Sequence, residues 1–112
     1  MPDILRLPSE PGPAGERWVD RFITTDQGHA LRTVAYIRTP PGQGSPSGMH
    51  QHDFEQFYYI LEGTLTLVIG EDVVDAPAGS LLSIPAGVRH QNVNRTDRDV
   101  VQLMFEARPQ VG

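Results

Sequence analysis

The chain has 112 residues, a net charge of −5 and a pI near 5.2, which suits one compact domain and leaves little room for two. That acidity argues against a nucleic-acid surface, and because all nine basic residues are arginine, lysine-based Schiff-base and phosphate-loop chemistry are excluded. No cysteine is present, no apolar run approaches the roughly 18 residues that span a bilayer, and the start has no signal-peptide pattern, so a cytoplasmic domain without a membrane partner is expected.

Residues 1–17 read as a Pro-rich arm, with Pro2, Pro8, Pro11 and Pro13 ruling out a helix or a central strand. The arm is expected to be frayed or only partly ordered, and residues 18–112 to form the folded domain. From Trp18 the pattern is short strands between turns. Val34-Ala35-Tyr36-Ile37 reads as a strand that ends at Pro40-Pro41-Gly42, and residues 42–48 form a Gly/Ser/Pro loop. Phe57 to Leu61 is aromatic and branched, as strands prefer. After a tight turn at Glu62-Gly63-Thr64, Leu65, Leu67 and Ile69 alternate with Thr64, Thr66 and Val68. Gly70-Glu71-Asp72 turns again. Pro77-Ala78-Gly79 and Pro85-Ala86-Gly87 bracket a strand at residues 80–84, and a last strand runs from about Val100 to Phe105. No helical period is visible. Regular short strands with Gly/Pro turns predict an all-β sandwich or barrel.

Three of the four histidines fall in two short stretches. The first is Gly44-x5-His50-x-His52-x3-Gln56-x6-Gly63. On a strand, positions i, i+2 and i+6 share a face, so His50, His52 and Gln56 can converge inside a barrel while Asp53 and Glu55 face away. The second is Gly79-x5-Pro85-x-Gly87-x2-His90-x3-Asn94. A strand carrying His90 across the barrel would close the cluster. Imidazole suits Zn, Fe, Ni, Cu and Mn, and an amide oxygen is an acceptable weak fourth donor.

These two stretches resemble the paired motifs of the cupin superfamily, G-x5-H-x-H-x3or4-E-x6-G and G-x5-P-x-G-x2-H-x3-N. Together they run from Gly44 to Asn94, just under half the chain, and a 15-residue spacer separates Gly63 from Gly79. The resemblance implies a single small jelly-roll (double-stranded β-helix) barrel and one divalent transition metal held by His50, His52, Gln56 and His90. It also implies a homodimer. Every fixed motif position is present except one: Gln56 stands where the family usually has Glu. Gln56 either ligates through its amide oxygen, the preferred reading, or leaves three histidines with open positions. Three neutral imidazoles and an amide leave the site at +2, which favours bound anions and removes a carboxylate base.

Tyr58 and Ile60 share parity with the ligands and are expected to line the interior, and Phe54 is a candidate for the pocket wall. Tyr36, Arg38, Gln102 and Met104 are further wall candidates on strands whose facing the sequence does not fix. Gly63, Gly79, Pro85 and Gly87 read as turn makers, and Asn94 as a turn cap. Gly44-Ser45-Pro46-Ser47-Gly48 is no nucleophile elbow, because Pro46 occupies the centre where serine is required. The functional expectation is a metal-dependent enzyme acting on a small oxygen-rich organic substrate, by dioxygenase-like or isomerase/cyclase chemistry. The alternative is a non-catalytic small-molecule-binding module or sensor.

Overall fold

The structure is a computed structural model that describes residues 15–24 and 28–108. Most of the Pro-rich arm, and its expected fraying, lie outside the described residues. Eight strands follow in chain order: β1 (Trp18–Ile23), β2 (Leu31–Thr39), β3 (Gln56–Glu62), β4 (Thr64–Ile69), β5 (Asp72–Pro77), β6 (Leu81–Ile84), β7 (His90–Val93) and β8 (Val100–Ala107). They form two antiparallel sheets, one ordered β1-β2-β8-β3-β6 and the other β5-β4-β7, the arrangement of a small jelly roll. Among the described residues no helix is long and apolar enough to cross a membrane.

The sheets close on a core that the period-two patterns supply. Ala35, Ile37, Tyr58 and Ile60 point inward from the larger sheet, and Leu65, Leu67 and Ala76 from the smaller, with Ile84, Val100 and Met104 filling between them. Removing this apolar surface from water is the main favourable term, at about 25 cal/mol per Å². Register fixes which side chains meet. Ala35 pairs with Met104, and Met104 pairs with Tyr58, so one cross-strand row faces the interior. The neighbouring row of Tyr36, Leu103 and Tyr59 faces the other way.

Two expectations need correction. The segment carrying His50 and His52 is not a regular strand; β3 begins only at Gln56, and His50 makes an isolated antiparallel bridge to His90. The cause is the route of the chain, which runs beside β7 before crossing to the larger sheet. Ser45 N donates to Asn92 O at 3.0 Å, Asn94 N to Gln43 O at 2.8 Å, and Gly87 N to His52 O at 2.7 Å. Alternation survives the irregularity: Asp53 and Glu55 are exposed, whereas Phe54 and Gln56 are buried. Second, Asp72 is not a turn residue but opens β5. That strand is an outer edge with only Ala76 buried, so it carries no alternating signal.

Two glycines of the paired stretches are explained by space. A side chain at Gly44 would run into the carbonyl of Asn92, because the backbone there lies against β7. Gly63 has φ of +79° in the β3–β4 turn, and a Cβ would lie 2.8 Å from Asp99 O.

Candidate metal centre

The His50–His90 bridge places two imidazoles side by side. His50 N donates to His90 O at 2.9 Å and His90 N to His50 O at 2.8 Å. Their ring centroids are 4.4 Å apart, and His52 joins them at 4.9 Å from His50 and 5.3 Å from His90. One ring nitrogen from each of the three lies within 4.8 Å of the others. His90 is buried and the other two are half-buried. His52 is also clamped by Phe54, whose ring stacks on it at 4.6 Å with an interplanar angle of 9°. Arg32 covers the Phe54 ring at 4.2 Å.

Backbone carbonyls fix the tautomers. His50 Nδ1 lies 2.7 Å from Gly48 O, and His90 Nδ1 lies 3.0 Å from Val88 O. A carbonyl only accepts, so each Nδ1 carries the hydrogen and each Nε2 keeps its lone pair. The His90 Nε2 is buried with no hydrogen-bond partner, an arrangement that a metal ion would relieve. Burial holds the His52 and His90 pKa values below the usual imidazole range, and repulsion from His50 adds to the effect in both. The Val88 carbonyl works against the shift at His90. Neutral imidazoles are the form a metal requires.

The family model described as Cupin domain matches residues 35–106. The chain belongs to the cupin family. Solved cupin structures share its architecture. A Cupin 2 conserved barrel domain protein from Salinispora arenicola superposes with a TM-score of 0.75 at 21% identity, over 96% of this chain and 90% of that one. A predicted oxalate decarboxylase from Thermotoga maritima gives 0.74 at 25% identity, over 83% and 81%. A sugar phosphate isomerase of the cupin superfamily from Silicibacter pomeroyi gives 0.69 at 29%, over 82% of this chain and 59% of that one. No curated protein matches the chain.

In this cupin the amide at position 56 is held by its neighbours. Gln56 Nε2 donates to Glu106 Oε2 at 2.9 Å and contacts Met104 Sδ at 3.1 Å. A carboxylate only accepts, so the nitrogen must face Glu106 and Oε1 must point elsewhere. Oε1 is buried and has no partner. An orphaned amide oxygen therefore accompanies the three-histidine cluster, whose own His90 Nε2 is without a partner. This donor set fits a divalent transition metal.

A cavity of about 270 Å³ opens on the cluster. His50, His52 and Gln56 line it together with Tyr58 and Met104. Tyr58 Oη accepts a hydrogen bond from Asn92 Nδ2 at 3.3 Å, and burial pushes its pKa up to about 12. The other wall candidates lie elsewhere. Ile60 is fully enclosed in the core between the sheets. Phe54 backs His52 from a neighbouring surface hollow. Tyr36 and Arg38 sit on the opposite face of β2 from Ala35 and Ile37. There Tyr36 packs edge-on to Trp18 at 6.0 Å, and Arg38 pairs with Asp99 at 3.2 Å. Gln102 is buried and accepts a 3.4 Å hydrogen bond from Thr39. Asn94 joins backbone and turn, donating to Thr39 O and Arg98 O and accepting from Thr96.

Sequence reasoning missed Glu106, Arg17, Arg21 and Asn92, which also line the cavity. A signal for Glu106 was present: it has the parity of Gln102 and Met104, but the expected strand stopped one residue short of it. No motif marks the two arginines.

Proposed function

We propose that this cupin is a divalent-metal-dependent enzyme acting on a small oxygen-rich organic molecule bound beside the histidine cluster. The observation that carries the reading is the convergence of His50, His52 and His90 with the tautomers of His50 and His90 fixed and the His90 Nε2 left without a partner. Gln56 would be the fourth donor through its free Oε1. Two of the structurally similar cupins carry enzyme names, a predicted decarboxylase and a sugar phosphate isomerase, which supports catalysis without choosing the reaction.

A bound divalent ion would supply Lewis acidity to a coordinated carbonyl, enolate or carboxylate oxygen. The chain's own groups do the rest. Tyr58 stays protonated at neutral pH, and since its oxygen accepts from Asn92, its hydrogen is left for a ligand oxygen. Glu106 is the only carboxylate among the described residues lining the cavity, so it is the group able to take up a proton there. Met104 presents an apolar wall that limits water.

Metal analysis of the purified protein, followed by substrate screens with and without oxygen, tests the reading. Oxygen uptake with a dicarbonyl or phenol would indicate a dioxygenase, and turnover without oxygen an isomerase or cyclase. His50→Ala and His90→Ala should each abolish metal loading; full occupancy in both would remove the basis of the proposal. A ligand that raises the melting temperature without turnover would replace the enzyme with a binding module.

A further inference from the structure

β1 is an edge strand of the larger sheet. Arg21 pairs with Ala35 and so stands in the same inward row as Met104 and Tyr58. Val19, two residues earlier, packs against the core, and Arg17 lies two residues before that. Both arginines line the cavity that opens on His50 and His52.

Neither arginine has an ion pair among the described residues; the ion pairs found there are Arg32–Glu106 and Arg38–Asp99. Arg17 is half-buried, and its Nε has no hydrogen-bond partner. Burial disfavours its charge, Tyr58 works against that shift, and the neighbouring Arg21 adds to it. Glu106 is the one carboxylate lining the cavity among the described residues; it accepts from Gln56 at 2.9 Å and lies 4.0 Å from Arg32, and its single charge is outnumbered by the two arginines. Two arginines without an ion pair among the described residues therefore face one cavity, leaving its wall with an excess of positive charge in a chain of net charge −5. Low-dielectric walls concentrate such a field and draw in anions. Guanidinium forks bind carboxylate or phosphate oxygens with two hydrogen bonds each.

We infer that Arg17 and Arg21 form an anion-binding end of this cavity, so that its ligand is a small molecule carrying a carboxylate or phosphate group. The anionic group is held by the two arginines, and the rest of the molecule reaches toward the three histidines. The cavity, about 270 Å³, is at the small end of ligand sites and admits only a compact molecule. The inference rests on reading the cluster as a metal-centred ligand site, and it adds the class of ligand.

The test is calorimetric titration of zinc-loaded protein with malonate, its neutral analogue malonamide, and inorganic phosphate. Wild type should bind malonate or phosphate and not malonamide, and which anion binds separates the carboxylate from the phosphate source. Arg17→Gln and Arg21→Gln should each weaken that binding about tenfold or more, with zinc occupancy unchanged. Arg17→Lys, which keeps charge and loses the fork, should fall between. Arg21 is exposed, so its variant folds even should Arg17→Gln not. Equal anion binding in wild type and Arg21→Gln overturns the inference, and so does the absence of anion binding by fully loaded wild type. Arg21→Gln that alters only self-association also overturns it, since the arginines would then be guarding the edge of β1. Failure to load zinc, with arginine-dependent anion binding intact in metal-free protein, would defeat the metal reading and leave the anion site standing.

Discussion

Gln56 and Glu106 are cross-strand partners on β3 and β8, and the amide of one donates to the carboxylate of the other at 2.9 Å. The pair keeps a carboxylate beside position 56, where the family usually has glutamate and this chain has glutamine. The negative charge stands on the neighbouring strand, and it fixes the amide with its nitrogen toward Glu106 and its buried oxygen left without a partner. Glu106→Ala should therefore free the amide to rotate and weaken metal affinity by about tenfold to a hundredfold. Competition against a chromophoric chelator measures this; unchanged affinity would mean that the amide does not depend on Glu106.

Gln56→Glu tests the same pair from the other side. It sets two carboxylates against each other and removes a charge-assisted hydrogen bond, which costs about 2 kcal/mol in metal-free protein at neutral pH. A divalent ion should reverse the loss, so the variant's melting temperature should respond to zinc more than wild type does. Adding Glu106→Gln restores one donor and one acceptor to the pair. The double variant should recover most of the metal-free stability, as a denaturant double-mutant cycle would show.

Stability should depend on pH through the cluster. His52 and His90 are held below the ordinary imidazole value of 6.5, so between the folded and unfolded values the unfolded chain binds more protons. The metal-free protein should lose stability as pH falls below about 6.5, and metal should be released over the same descent. Thermal melts from pH 8 to pH 5 check this. A flat profile in wild type that matches His90→Ala would contradict it.

At the alkaline end, Tyr58 is raised from 10 to about 12. The folded chain keeps this proton while the unfolded chain releases it, so stability should decline as pH rises from 10 toward 12. Ultraviolet titration should find one tyrosine ionising last, and Tyr58→Phe should remove it.

Asn94 belongs to the architecture. It is fully buried, donates to Thr39 O and Arg98 O, and accepts from Thr96 N at 2.9 Å. Asn94→Ala would leave these backbone groups unsatisfied and should cost about 2–4 kcal/mol in urea denaturation. Metal affinity of the folded fraction should not change.

The sequence alone determined the strand pattern and the identity of the clustered histidines. Alternation in β4 and the Pro-Gly turns are local signals, since a strand with one buried face writes period two into its own residues. The spacing of His50, His52 and His90 within two paired stretches was likewise a property of the chain. Tertiary structure decided what local pattern cannot encode. β5, an edge with one buried residue, left no alternation to read. Whether Tyr36 or Met104 faces the cavity depended on register between β2, β8 and β3, which sets the inward row and is fixed only when the sheets pack. The meeting of Glu106 with Gln56, 50 positions apart, and of Arg17 and Arg21 with the histidine cavity, follows from antiparallel pairing that no short stretch specifies.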